Sequence, residues 1–239
     1  MVGYGPLDTA QVPLRSGARL GSLVYDLLKE RLLEGAYPAG ERISLETLKT
    51  EFGVSKQPIM DAMRRLDSDG LIEIIPQVGC RVPRYESAEI TDFYTMFGGM
   101  EGAIAGIAAE RWKGQQLAEL RAVNSRIIAL AADPDGAVRA HGYRVMNREF
   151  HHKIHQMAMS RVIADTSQRM WDLSDMLINT AGVPQPLASA VPERAHDHDD
   201  ICQALADRDA PAARIAMERH IVTTVGIIRH ELDQTADSA

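Results

Sequence analysis

Leu20, Val24, Leu27, Leu28 and Leu32 recur at helical spacing and predict an amphipathic helix over about 18–34. Gly35 ends it, and Tyr37-Pro38-Ala39-Gly40 reads as a turn. A helical segment then runs to Gly53, and a further one starts near Ser55. Pro58 falls in its first turn, where a missing N–H does no harm. Ile59, Ala62, Met63 and Leu66 share one face of it. Gly70 stops that helix, Leu71, Ile72, Ile74 and Ile75 suit a buried strand, and Gly79 allows a turn before Arg81-Val82-Pro83. Arg42-Ile43 is positioned to add a short strand to this hairpin. Two helices about a tight turn, followed by a small hairpin, predict a winged helix-turn-helix. In that motif one helix enters the DNA major groove.

After residue 85 no strand-like alternation appears, and the periodicity predicts helices at roughly 87–111, 115–132, 136–158, 160–180, 190–207 and 210–233. The fold class is therefore mostly α: a winged helix-turn-helix with a small β-wing, followed by an all-α bundle of about six helices with short connections. The expected organisation is a flexible tail over 1–14, a DNA-binding domain over 15–84 and a helical effector-binding and dimerisation domain over 85–239. Ser87 is the expected N-cap of the first bundle helix. Ile90 at the third position after it argues against a capping box.

Charge separates the halves. Residues 1–84 hold 11 Lys+Arg and 11 Asp+Glu, and the remainder holds 15 and 22 of the chain's 26 and 33. The acidic second half suits a dimer or ligand module better than a phosphate-binding one. Cys80 and Cys202 show no C-x-x-C spacing, so neither a disulfide framework nor a zinc finger is expected. With no signal-peptide pattern and no long apolar run, the expected setting is the cytoplasm, away from membranes.

Lys56 and Gln57 sit at the N-terminal end of the candidate recognition helix, with Met60, Arg64 and Arg65 further along. Gln can bond adenine through two atoms, and Lys can reach guanine or phosphate. Gln77, Gly79 and Arg81 place the wing tip near the minor groove or the backbone. The candidate DNA-binding residues are therefore Lys56, Gln57, Arg65, Gln77, Gly79 and Arg81. The run GVSKQPIMDAMRRLDSDGLIEIIPQVGCRV, together with the helix at 18–34 and the turn YPAGERI, resembles the winged-helix segment of the GntR family of bacterial transcription regulators. The resemblance implies operator DNA as a partner. Family members often carry Arg at the positions of Lys56 and Met60 and Thr at that of Gln57, so the operator preference is this chain's own.

In the second half, Asn147 and His151 are four residues apart and share a helix face. His198 lines up with Ile201 and Leu205, and His220 with Ala213, Ala216, Met217, Thr224 and Ile227. Three histidines thus point inward from three helices, where an unpaired imidazole is costly. Neutral imidazoles converging in such a core suit Zn²⁺, Ni²⁺ or a similar ion. Taken singly, each histidine also fits a core or surface role. His155, one turn beyond His151, is placed either to replace it or to support the ligands from behind. This half resembles the all-helical FCD effector domain of the FadR-like branch. Asn147-Arg148-Glu149-Phe150-His151 resembles its D-x-x-F-H motif with Asn for Asp, His198-Asp199-Asp200-Ile201 its H-x-x-I segment, and Ala216–His220 its final histidine segment. The resemblance implies a divalent metal on Asn147, His151, His198 and His220, and a small carboxylate effector. Where relatives often place an effector-binding Arg, this chain has Phe97, and Arg148 and Arg194 are the candidates to replace it.

Together these readings predict a non-enzymatic, homodimeric repressor whose operator binding responds to a metabolite. The alternative is a metal-dependent enzyme with an accessory winged helix. Against it, no H-E-x-x-H motif is present, and Glu149, two residues from His151, faces elsewhere on the helix.

Overall fold

The computed structural model describes residues 17–237. The expected tail at 1–14 lies outside the described residues. The chain divides into two compact units, with the division between Arg84 and Tyr85.

In the first unit, helix α1 (Gly17–Leu33) buries Val24, Leu28, Leu32 and Leu33. After strand β1 (Arg42–Ser44) comes α2 (Leu45–Phe52), capped by Ser44, whose Oγ accepts from the Thr47 N–H at 3.0 Å. Gly53 closes α2 in the left-handed conformation, φ 64°, which an L side chain rarely adopts. Helix α3 (Lys56–Ser68) begins after the extended Ser55 and buries Pro58, Ile59, Ala62, Met63 and Leu66. Burying a side chain such as Ile59 or Leu66 against α1 contributes about 1.5–3 kcal/mol. The same one-sided burial leaves the opposite face of α3 in solvent.

Strands β2 (Glu73–Ile75) and β3 (Gly79–Arg81) complete a three-stranded antiparallel sheet of order β1-β3-β2, with Cys80 opposite both Ile43 and Ile74. Arg42-Ile43 thus joins the wing sheet as its expected third strand. Leu71 and Ile72, expected in the strand, are buried ahead of it, because the Leu71 N–H still bonds the Leu66 carbonyl at 2.9 Å.

The second unit holds α4 (Ser87–Arg111), α5 (Gln116–Leu130), α6 (Gly136–Ala158), α7 (Arg161–Asn179), α8 (Val191–Ala206) and α9 (Ala210–Asp237). All six expected helices are present, with ends shifted by a few residues. One local expectation fails. Ser87 is not the N-cap but the first residue of α4; the extended Glu86 caps it, and a capping box is present. The Glu86 N–H donates to Glu89 Oε2 at 2.7 Å: the cap lies one residue before Ser87, which puts Glu89 rather than Ile90 at the third position and makes the box that was not expected.

Helix α4 packs along α9 through Gly98, Gly102 and Gly106. A Cβ added at Gly98 would lie 2.8 Å from Val222 Cγ2, and at Gly102 2.8 Å from the Arg214 carbonyl oxygen. Missing side chains therefore set how closely α9 approaches. Around this pair, Tyr94, Phe97, Phe150, Trp171, Ile201 and Met217 join one continuous core. Three histidines sit within it.

Candidate functional site

In the first unit, Lys56 and Gln57 lie exposed at the start of α3, as expected. Gln57 Nε2 donates to Asp61 Oδ1 at 2.8 Å, and Arg64 Nη1 pairs with the same carboxylate at 3.1 Å. A base edge must compete with Asp61 for the Gln57 amide. Arg65 turns towards α1: its guanidinium carbon lies 3.7 Å from the Tyr25 ring centroid, and Nη1 donates to Ser22 Oγ at 3.3 Å. In the wing, Gln77 is exposed with φ 63°, and Arg81 pairs with Glu73 across the strands. Gly79 corrects the expectation. It is buried inside β3, where a Cβ would come within 2.1 Å of the Ile43 carbonyl oxygen. The turn at 76–78 forms the tip instead, with Val78 51 % exposed, and Gly79 lets two strands approach closely.

In the second unit, α6, α8 and α9 bring His151, His198 and His220 together, all buried, with one ring nitrogen of each within 4.8 Å of the others. Nε2 of His198 and Nε2 of His220 are 3.3 Å apart. The opposite nitrogens have partners of their own. His198 Nδ1 lies 3.2 Å from Asn124 Oδ1, and that amide's Nδ2 donates to the Ala195 carbonyl at 3.0 Å and to Asp199 Oδ1 at 2.7 Å. The Asn124 oxygen is thus the acceptor, and His198 carries its proton on Nδ1. His220 Nδ1 lies 3.2 Å from Asp197 Oδ2, so it too donates from Nδ1. Both Nε2 lone pairs then face one another. Both nitrogens of His151 are buried and have no hydrogen-bond partner.

Electrostatics favour the neutral form of all three rings. Burial, then the neighbouring imidazoles, holds His151 well below the ordinary histidine pKa. Burial and His220 do the same to His198. His220 is lowered to about 4 by burial and then by Arg194, against the opposing pull of Asp197. Three neutral imidazoles with inward lone pairs form a donor set for a borderline divalent ion, and the orphaned nitrogens of His151 complete the fit.

The remaining candidates divide. Asn147, half-buried one turn before His151, accepts from the Tyr143 hydroxyl at 3.1 Å through Oδ1. Arg148 turns to α7, where Nη2 meets Asp172 at 2.5 Å and Asp175 at 3.2 Å, while its buried Nη1 has no partner. Arg194, only 1 % exposed, donates through Nη1 to the His220 carbonyl at 2.8 Å and through Nη2 to Thr223 at 3.0 Å and to Asp197. Its Nε has no partner. His155 does not replace His151. Its Nε2 lies 2.9 Å from the wholly buried Glu101, which also accepts from Ser167 Oγ at 2.5 Å. Glu149 faces away from the histidines and meets Arg126 at 3.1 Å. Phe97 packs edge-on against Trp171, with ring centroids 5.0 Å apart.

Sequence reasoning missed Asn124, Asp197 and Glu101. Only Asp197, three residues after Arg194 and beside His198, carried a local signal. Asn124 and Glu101 come from helices distant in sequence.

A winged helix-turn-helix carried with an all-helical bundle is the architecture of a class of transcription regulator. The chain belongs to the GntR family of bacterial regulatory proteins: that family's model matches residues 20–82, and the FCD domain model matches residues 92–223. Among similar proteins is the HTH-type transcriptional repressor GlaR of Escherichia coli K12, 22 % identical over 87 % of this chain and 95 % of that one. RspR, an HTH-type transcriptional repressor of the same strain, is 23 % identical over 96 % of this chain and 97 % of its own length. Solved structures share the fold. E. coli McbR/YncC aligns with a TM-score of 0.75 at 19 % identity, covering 89 % of this chain and 98 % of that one. A GntR regulator from Rhodococcus sp. RHA1 gives 0.69 at 17 % identity, with the same coverage. No helix of the described residues is long and apolar enough to cross a membrane.

Proposed function

We propose that this protein is a homodimeric transcriptional repressor whose grip on operator DNA is modulated by a small carboxylate bound at a divalent metal, zinc or nickel, on His151, His198 and His220. One observation carries the reading: two unprotonated Nε2 atoms face each other at 3.3 Å beside an orphaned third imidazole. Such an arrangement, fully buried, is repulsive and unsatisfied until a positive centre lies between the rings. When bound, the metal supplies Lewis acidity for an anionic oxygen. Asn147, one turn before His151 on α6, is the fourth ligand of this reading. The buried Arg148 Nη1 and Arg194 Nε, both without partners, are donors available to the rest of the effector.

On the DNA side, Lys56 and Gln57 lead α3 into the major groove. Arg65 and Arg81 serve phosphates, and Gln77 lies at the wing turn. Two copies bind a two-fold symmetric operator, and the effector shifts the population between arrangements with different spacing of the recognition helices. A gel-shift assay with the DNA upstream of the protein's own gene tests this. The expected result is a shift weakened by effector, with metal retained by the purified chain. No shift at low salt, with or without Zn²⁺, overturns the regulator reading.

A further inference from the structure

Helix α3 carries two carboxylates. Asp67 serves the wing, where its Oδ1 accepts from the Ile74 N–H at 3.0 Å. Asp61 lies mid-helix, on the face that also carries Gln57 and Arg64, one turn to either side. Its Oδ1 accepts from both neighbours, from Gln57 Nε2 at 2.8 Å and from Arg64 Nη1 at 3.1 Å. A negative charge on a face turned to DNA opposes the phosphates, and Arg64 offsets it locally. The other side of Asp61 rests on α1: a Cβ placed at Gly21 would lie 3.4 Å from Asp61 Cβ and 3.9 Å from its Oδ2. The carboxylate is thus held between α1 and two partners on its own helix.

A carboxylate only accepts, so the amide nitrogen of Gln57 faces Asp61 and Oε1 is turned away. The base edge competes with Asp61 for one Nε2 proton only. Oε1 and the second Nε2–H remain, an acceptor beside a donor. Adenine presents the complement, the N6 donor and the N7 acceptor, whereas guanine presents two acceptors, O6 and N7. Without Asp61 the amide is free to turn both Nε2 protons to guanine. We propose that Asp61 is a specificity-determining positioning residue: by holding the Gln57 amide nitrogen, it makes Gln57 select adenine over guanine. The inference rests on the proposed entry of α3 into the major groove. It adds that base selection lies with a residue that need not touch DNA itself.

The test selects binding sites for the full-length chain from a pool of random double-stranded DNA and reads base preferences by sequencing. Comparison with Gln57→Ala identifies the site position that depends on Gln57, expected to favour adenine. In Asp61→Ala the adenine-to-guanine ratio at that position is expected to fall about tenfold or more, with other positions unchanged. The Asp61 side chain is 41 % exposed and alanine is the better helix former, so the fold is expected to survive. Asp61→Asn keeps an oxygen that accepts from Gln57 and is expected to retain the ratio. The inference is overturned, with DNA binding left standing, by a ratio unchanged in Asp61→Ala, by a loss equal in Asp61→Ala and Asp61→Asn or spread over every position, or by a Gln57-dependent position that does not favour adenine. Wild-type selection that enriches no sequence, or Gln57→Ala that alters no position, overturns the placement of α3 and this inference with it.

Discussion

Asn124 and His198 lock one another: the amide oxygen accepts from the Nδ1–H at 3.2 Å, while the amide nitrogen donates to the Ala195 carbonyl and to Asp199. Flipping the amide would lose both of its donor bonds, so His198 is confined to the tautomer with a bare Nε2. Asp197 does the same for His220. Asn124→Ala and Asp197→Asn are each expected to lower Zn²⁺ affinity by about 10–100-fold, as loss of such ring-orienting partners does elsewhere. Chelator competition gives the affinity, and ¹⁵N shifts of the imidazoles give the tautomer. Unchanged tautomers in both variants would disprove the assignment.

The depressed histidines set a pH dependence for the metal-free chain. An unfolded histidine takes up a proton near pH 6.5, whereas folded His220 resists until about 4. The unfolded state therefore binds more protons between those values, and stability falls as pH falls through the window. Each such histidine contributes a slope of about 1.4 kcal/mol per pH unit there. His151 and His198, held low in the same direction, steepen it. Urea unfolding at pH 7.5 and pH 5.5 should show the loss, and His220→Asn should flatten it. A profile level from pH 7.5 to 5.5 would mean that these rings are solvated or already protonated.

Lys56 and Gln57 should act differently on DNA. Removing Lys56 is expected to weaken binding to all sequences and to reduce the salt slope by about 1 if it meets phosphate. Gln57→Ala is expected to cost about 1–3 kcal/mol at one operator position and little elsewhere. Fluorescence anisotropy across a set of single-base operator variants separates the two. Arg65→Ala also loses its stacking on Tyr25, so its melting temperature is expected to fall alongside its affinity.

Close backbone approach gives a stability prediction. Gly79→Ala places a methyl against the Ile43 carbonyl, and Gly102→Ala does so against that of Arg214. Each is expected to destabilise by about 1–3 kcal/mol, by chemical unfolding. Gly53→Ala meets nothing within 4 Å and is expected to cost less, through its positive φ alone.

The helices and the wing were legible because one-sided apolar spacing and glycine stops are local signals. The spacing that placed Ile59, Ala62, Met63 and Leu66 inward is the face that α1 covers. His151, His198 and His220 were legible for the same reason, each lying on an apolar face. Their partners were not. Asn124 lies 74 residues from His198 in the chain, and Glu101 lies 54 from His155, so only tertiary packing joins them. Gly79 was misplaced at the tip because a glycine in a hairpin signals either a turn or a close approach. The neighbour that decides, Ile43, comes from a strand far earlier in the chain.

His220 rides on α9, and the seat of α9 on α4 is fixed by Gly98, Gly102 and Gly106, positions that present nothing to a ligand. On the proposed reading, a genetic screen for mutants deaf to the effector should therefore return substitutions at these glycines of α4 as well as at the histidines. Three missing side chains, no less than three histidines, then decide where the His220 ring stands.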